Sequence, residues 1–113
     1  MTEFYEQVKE RLMRYVRINT ESNPHSTSVP TTSCQHDLAK VIYEELQQIG
    51  ATNVYYDKDT CVVYGSLEAN VKTGRAIGFV THMDTAPDAS GKDVKPWVLE
   101  NYDGNDIVLN KEK

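Results

Sequence analysis

At 113 residues, with 39% hydrophobic and 26% charged side chains, the chain has the balance of a soluble globular protein and the length of one domain at most. Its formal net charge of −5 at pH 7 argues against a basic phosphate-binding stripe, so nucleic acid is not an expected partner. No apolar run approaches membrane-spanning length, and the opening Met1–Glu6 is acidic and interrupted by polar groups, unlike a secretory signal. The expected setting is therefore the cytoplasm, with no membrane partner.

From Thr2 to about Arg17, Phe4, Val8, Leu12 and Val16 recur every four residues while Glu6, Lys9, Glu10 and Arg14 fill the other face. This spacing predicts an amphipathic helix that packs on the outside of a sheet; its mixed charges argue against a membrane-surface helix. Asn19–Thr31 is rich in Ser, Thr, Asn and Pro and reads as a loop, with His25 solvated in it. Thr32-Ser33-Cys34-Gln35 has the form of a capping box, and a helix is expected to come next. Leu38, Val41, Ile42, Leu46 and Ile49 trace its apolar face, His36 falls off that face, and Gly50 supplies a left-handed stop.

Asn53–Tyr56 and Cys61–Leu67 are β-prone runs around the polar turn Asp57–Thr60, and together predict a hairpin held by cross-strand packing. Glu68–Arg75 is a connecting loop, and Ala76–Thr81 is expected as a strand. After Gly91, Pro96 and Trp97 break any long element, with Trp97 expected to cover a core edge; Ile107–Leu109 suggests a short strand, and Asn110–Lys113 is a polar tail. Cys34 and Cys61 have neither CxxC nor metal-ligand spacing, so two free thiols in a reducing compartment are expected. No repeat, low-complexity tract or interdomain linker is visible.

The chemistry points to the end of the Ala76–Thr81 run, where an apolar segment meets a polar loop at His82 and Asp84. Ligands in open α/β sheets sit at the carboxyl ends of strands. Residues two apart in an extended segment face the same side, so the Asp84 carboxylate can fix the His82 ring through one nitrogen and leave the other for a metal. His-x-Asp is a common spacing whose plain alternative is a surface turn. His25 and His36 add nitrogen donors that nothing in the sequence places near His82.

The wider wording is more specific. Ala76 through Gly91, continuing through Lys92-Asp93-Val94, Pro96, Val98, Glu100-Asn101-Tyr102, Gly104 and Asp106–Leu109, closely resembles the start of the peptidase T family, tripeptide aminopeptidases among the two-zinc peptidases. Arg14-Tyr15-Val16, Asn19-Thr20, Val29–Thr32 and Ile49-Gly50 fall in the family's order, so the resemblance covers essentially the whole chain. It implies an α/β fold, the N-terminal part of a three-layer αβα zinc-peptidase catalytic domain spanning 1–113, with two helices followed by a β-hairpin and further strands.

By the same resemblance His82 is a ligand to one zinc of a pair, Asp84 is the active-site carboxylate that holds its imidazole, and the substrate is a small peptide. The family's bridging aspartate, glutamate general base and remaining zinc ligands fall beyond Lys113, so hydrolysis by these residues alone is not expected. A related dipeptidase or deacylase fits the Pro87–Gly91 wording less well. The alternative from another class is a non-catalytic α/β remnant or interaction domain that self-associates into a homo-oligomer through exposed strand edges.

Overall fold

A computed structural model describes residues 3–72 and 74–109. Its elements run α1 (Glu3–Tyr15), α2 (Gln35–Gln48), β1 (Thr52–Asp57) and β2 (Val62–Ser66). Two helices and then an antiparallel hairpin give a mixed α/β arrangement, in the order expected from the residue pattern. Thr2, where the first helix was expected to open, Thr73 in the connecting loop and the tail Asn110–Lys113 lie outside the described residues.

The α2 helix carries the packing. Leu38 and Ala39 are buried on its apolar face, and Cys61 closes the same small core from the hairpin turn. Gly50 takes φ +82°, a left-handed conformation that costs a residue with a Cβ more than glycine. Its amide donates to Gln47 O at 3.0 Å and the Ala51 amide to Leu46 O at 2.9 Å, the paired bonds of a Schellman stop. The start differs from the expected capping box. Cys34 is the N-cap and makes no side-chain cap bond. The Thr32 hydroxyl donates instead to Glu21 O at 2.7 Å, and Gln35 Nε2 donates to Thr31 and Thr32 Oγ1 at 3.1 Å each. The hydroxyl expected at the helix end is therefore committed to the preceding loop.

In the hairpin Tyr55 faces Tyr64, Tyr56 faces Val63 and Asp57 faces Val62, with the register slipping between Thr52 and Tyr55. Asn53, at φ +51°, sits in that slip. The Tyr55 and Tyr64 rings stack across the strands with centroids 6.3 Å apart. Asp57 closes the turn by accepting from the Asp59 amide at 3.0 Å and the Thr60 hydroxyl at 2.7 Å. These bonds, Thr60 first, hold its carboxyl below the ordinary carboxylate range.

The first helix forms, but none of its residues is buried, and Phe4, Val8 and Leu12 are exposed. α2 packs against both strands, while α1 is held near its C-terminal end by a polar cluster. There Tyr15 Oη donates to Glu45 Oε2, Arg11 Nε lies 3.5 Å from that oxygen, and Arg14 Nη2 lies 2.5 Å from Glu45 Oε1. The Arg14 contact is an ion pair without aligned hydrogen-bond geometry.

Ala76–Thr81 and Ile107–Leu109 join no sheet; among the described residues the sheet has only β1 and β2. Ile77 is 83% and Phe79 92% exposed, so the β-prone run finds neither a neighbouring strand nor an apolar face to bury against. Trp97 is likewise exposed and covers no core edge. The surface is correspondingly large: 9726 Å², where a compact monomer of this mass exposes about 6,300 Å². The radius of gyration is 17.5 Å, against about 13 Å for a compact chain of this length. Among the described residues no helix is long and apolar enough to cross a membrane.

Candidate functional site

His82 and Asp84 lie on an irregular segment outside the helices and strands, and their side chains meet. His82 Nδ1 is 3.1 Å from Asp84 Oδ1 and 2.8 Å from the Asp84 backbone oxygen. Both neighbours are acceptors, so Nδ1 carries the proton in the neutral ring and the Nε2 lone pair remains for another partner. The His82 side chain is 83% exposed, which leaves the ring open to solvent.

One wall of the site comes from elsewhere in the chain. Thr81–Asp84 borders a cleft of about 250 Å³ with Gln35 and Ile42 of α2, Cys61 of the hairpin turn, and Val62 and Val63 of β2. The buried Gln35 was not legible as a site residue, because a glutamine in a first helical turn carries no signal of a site. Burial pushes the Cys61 thiol up, so it is a poor thiolate donor despite lining the same cleft.

The other histidines are not gathered here. His36 is half-buried, with Nδ1 paired to the Tyr56 hydroxyl and its ring 6.1 Å from that phenol. This replaces the free surface position expected for it. His25 lies exposed in the loop after α1, on a separate cleft of about 580 Å³ that it shares with Glu21, Cys34 and Lys92. That cleft is larger, but the facing imidazole and carboxylate belong to the smaller one.

The donor set fits one ligand position and not a complete metal centre. His82 offers a single imidazole nitrogen backed by a carboxylate, the usual arrangement behind a metal-bound histidine. Among the described residues no three His, Cys, Asp or Glu side chains group to hold an ion, whereas catalytic zinc takes three protein ligands.

The loop between the helices approaches this segment. Glu21 forms a parallel bridge with Thr85, one residue beyond Asp84. Sequence reasoning missed Glu21 itself, since a lone carboxylate in a polar loop does not announce a contact made seventy residues later.

No family model matches the chain. Among curated proteins it has close relatives. A protein named Peptidase T from Alkaliphilus oremlandii is 50% identical over 107 residues, covering 92% of this chain and 26% of its own length. Peptidase T of Clostridium acetobutylicum is 49% identical over 109 residues, covering 96% and 26%. Peptidase T of Clostridium botulinum strain 657 is 49% identical over 107 residues, covering 94% and 26%. The chain thus spans about a quarter of the length of the curated relatives it matches. Across nearly all of its own residues, the chain resembles an N-terminal part of peptidase T.

Proposed function

We propose that residues 1–113 form the N-terminal portion of a zinc-peptidase-like catalytic domain. The complete site releases the N-terminal residue of tripeptides, in the cytoplasm. His82 Nε2 is the ligand this chain gives to one of two zinc ions, and Asp84 holds the ring through Nδ1. The observation that carries this reading is the His82–Asp84 contact at 3.1 Å, in a chain half identical to proteins named Peptidase T. When bound, zinc activates water near neutral pH and polarises a peptide carbonyl. The chain's own contribution is to fix the tautomer and present the second nitrogen to solvent. The other ligands and the proton-accepting group belong to the remaining length of a peptidase T-like protein.

Zinc content by elemental analysis, with tripeptide hydrolysis on the same samples, tests this reading in the wild-type chain and in His82→Ala. Weak zinc binding that disappears in His82→Ala, without turnover, is the expected result. Zinc binding that is indifferent to His82→Ala removes the assignment.

A second reading, a self-associating α/β domain without catalysis, is favoured by the exposed Ile77, Phe79 and Val80. The surface excess over a compact monomer of about 6,300 Å² is roughly 3,400 Å², which exceeds a standard interface of about 1,600 Å². Sedimentation velocity separates the two readings, since a homo-oligomer needs a concentration-dependent shift.

A further inference from the structure

The segment Asn19–Ser22 anchors the backbone immediately behind His82 and Asp84. The Thr85 amide donates to Thr20 O at 3.1 Å, and the Ser22 amide donates to Thr85 O at 2.9 Å. The Ser22 hydroxyl reaches the same carbonyl at 3.0 Å. Glu21, between them, is engaged through its backbone and its carboxylate. Its amide donates to Asn19 Oδ1 at 3.1 Å, its carbonyl accepts from Thr32 Oγ1 at 2.7 Å, and its Oε2 accepts from the Gly91 amide at 3.1 Å. The two segments meet so closely that a Cβ on Gly91 would fall 2.8 Å from Asn19 Oδ1.

One peptide plane links this anchor to the imidazole. The Asp84 carbonyl that faces His82 Nδ1 at 2.8 Å and the Thr85 N–H bonded to Thr20 belong to the same rigid amide. Fixing the N–H therefore fixes the direction of the carbonyl that receives the ring proton. Packing cannot do this for a ring so exposed.

We propose that Glu21 is a positioning residue for His82. Its carboxylate grips Gly91 at one end of the Thr85–Gly91 loop, while the backbone of its neighbours Thr20 and Ser22 holds Thr85 at the other. Held at both ends, this loop sets the Asp84–Thr85 peptide that selects the Nδ1–H tautomer and keeps Nε2 available. The proposal rests on the reading of His82 as a metal ligand only for its purpose; the grip itself is a property of this chain.

The test compares the wild-type chain with Glu21→Gln, which keeps an oxygen acceptor, Glu21→Ala, which does not, and Gly91→Ala, which crowds the junction while leaving Glu21 intact. The readouts are the ring nitrogen shifts of His82 by NMR, hydrogen exchange of the Gly91 and Thr85 amides, and circular dichroism to verify that α2 and the hairpin persist. In Glu21→Ala, Gly91 exchange rises by roughly tenfold or more on loss of a charge-assisted bond, and the two ring nitrogens move toward a common, tautomer-averaged shift. Glu21→Gln restores the wild-type shifts, and Gly91→Ala reproduces the averaging. Unchanged His82 nitrogens in a folded Glu21→Ala with fast Gly91 exchange overturn the proposal, as does a Glu21→Gln that behaves like Glu21→Ala. Should Glu21→Ala fail to fold, Gly91→Ala decides alone: averaging supports the grip, and wild-type shifts overturn it. Added zinc ions separate this from the functional reading: tautomer averaging in Glu21→Ala with no zinc-induced shift at wild-type His82 leaves the grip standing and removes the metal assignment.

Discussion

Replacing Glu45 by alanine should release α1 from the rest of the chain. The carboxylate lies at the junction of Tyr15, Arg11 and Arg14, and no residue of α1 is buried to hold the helix in its place. A hydrogen bond to a charged acceptor is worth about 1.5–3 kcal/mol. The two arginines are substantially exposed, so their ion pairs add at most about 1 kcal/mol each. Discounted for the cost of keeping Glu45 largely out of water, the loss is about 2–3 kcal/mol.

A free helix of 13 residues is marginal in water. Alanine at position 45 does not harm α2, because it is the better helix former. Circular dichroism should therefore lose close to half of the helical signal, since α1 supplies 13 helical residues and α2 supplies 14. The Tyr15 phenol, now pushed up to about 12 by burial and by its bond to Glu45, should return toward its ordinary value near 10. A Glu45→Ala spectrum that overlays the wild type, with Tyr15 still titrating near about 12, would refute this picture. The apolar residues after the helix, Val16 and Ile18 beside Leu38 and Met83, would then be the real attachment.

Further expectations concern the same elements. Because the Tyr15 pKa is raised in the folded chain, its contribution is fully present below pH 10 and is lost as pH rises through about 12. An alkaline titration followed by circular dichroism should show α1 melting in that window in the wild type and no such step in Tyr15→Phe. Gly50→Ala meets no atom within 4 Å, so its cost is the left-handed backbone alone. That predicts a loss of about 1–2 kcal/mol in a denaturant titration, with a smaller loss counting against the Schellman stop. Replacing the exposed Phe79 and Val80 by serine should leave the thermal unfolding midpoint in place and lower any self-association seen by sedimentation. A lowered midpoint would show that these side chains are packed.

The legible parts of the chain were those whose causes are local. The Gly50 stop comes from one residue's freedom at positive φ, the hairpin from two β-prone runs around a turn closed by Asp57, and the apolar face of α2 from its own periodicity. The contact of His82 with Asp84 is also local, a matter of two side chains two residues apart. The hidden parts depend on partners. Ile77-Gly78-Phe79-Val80 has strand chemistry, but a strand needs a neighbour and β-propensity does not reveal one. The α1 stripe announces a buried face, and only the tertiary structure reveals that Phe4 and Leu12 meet water. Thr32 has the chemistry of a cap, but Glu21 claims its hydroxyl. The Glu21–Gly91 grip joins two loops far apart in sequence, and no short pattern encodes it.

If this chain supplies the His82–Asp84 part of a two-zinc peptidase site, it should do so beside the rest of a relative's length. The most direct measurement joins it to the remaining three-quarters of the Alkaliphilus oremlandii relative, in place of the quarter it matches, and follows tripeptide hydrolysis and zinc content with and without His82→Ala. The chimera should bind zinc and release the N-terminal residue, and the His82→Ala chimera should fold but lose zinc and turnover. A folded chimera without activity, or a His82→Ala chimera as active as its parent, would contradict this reading.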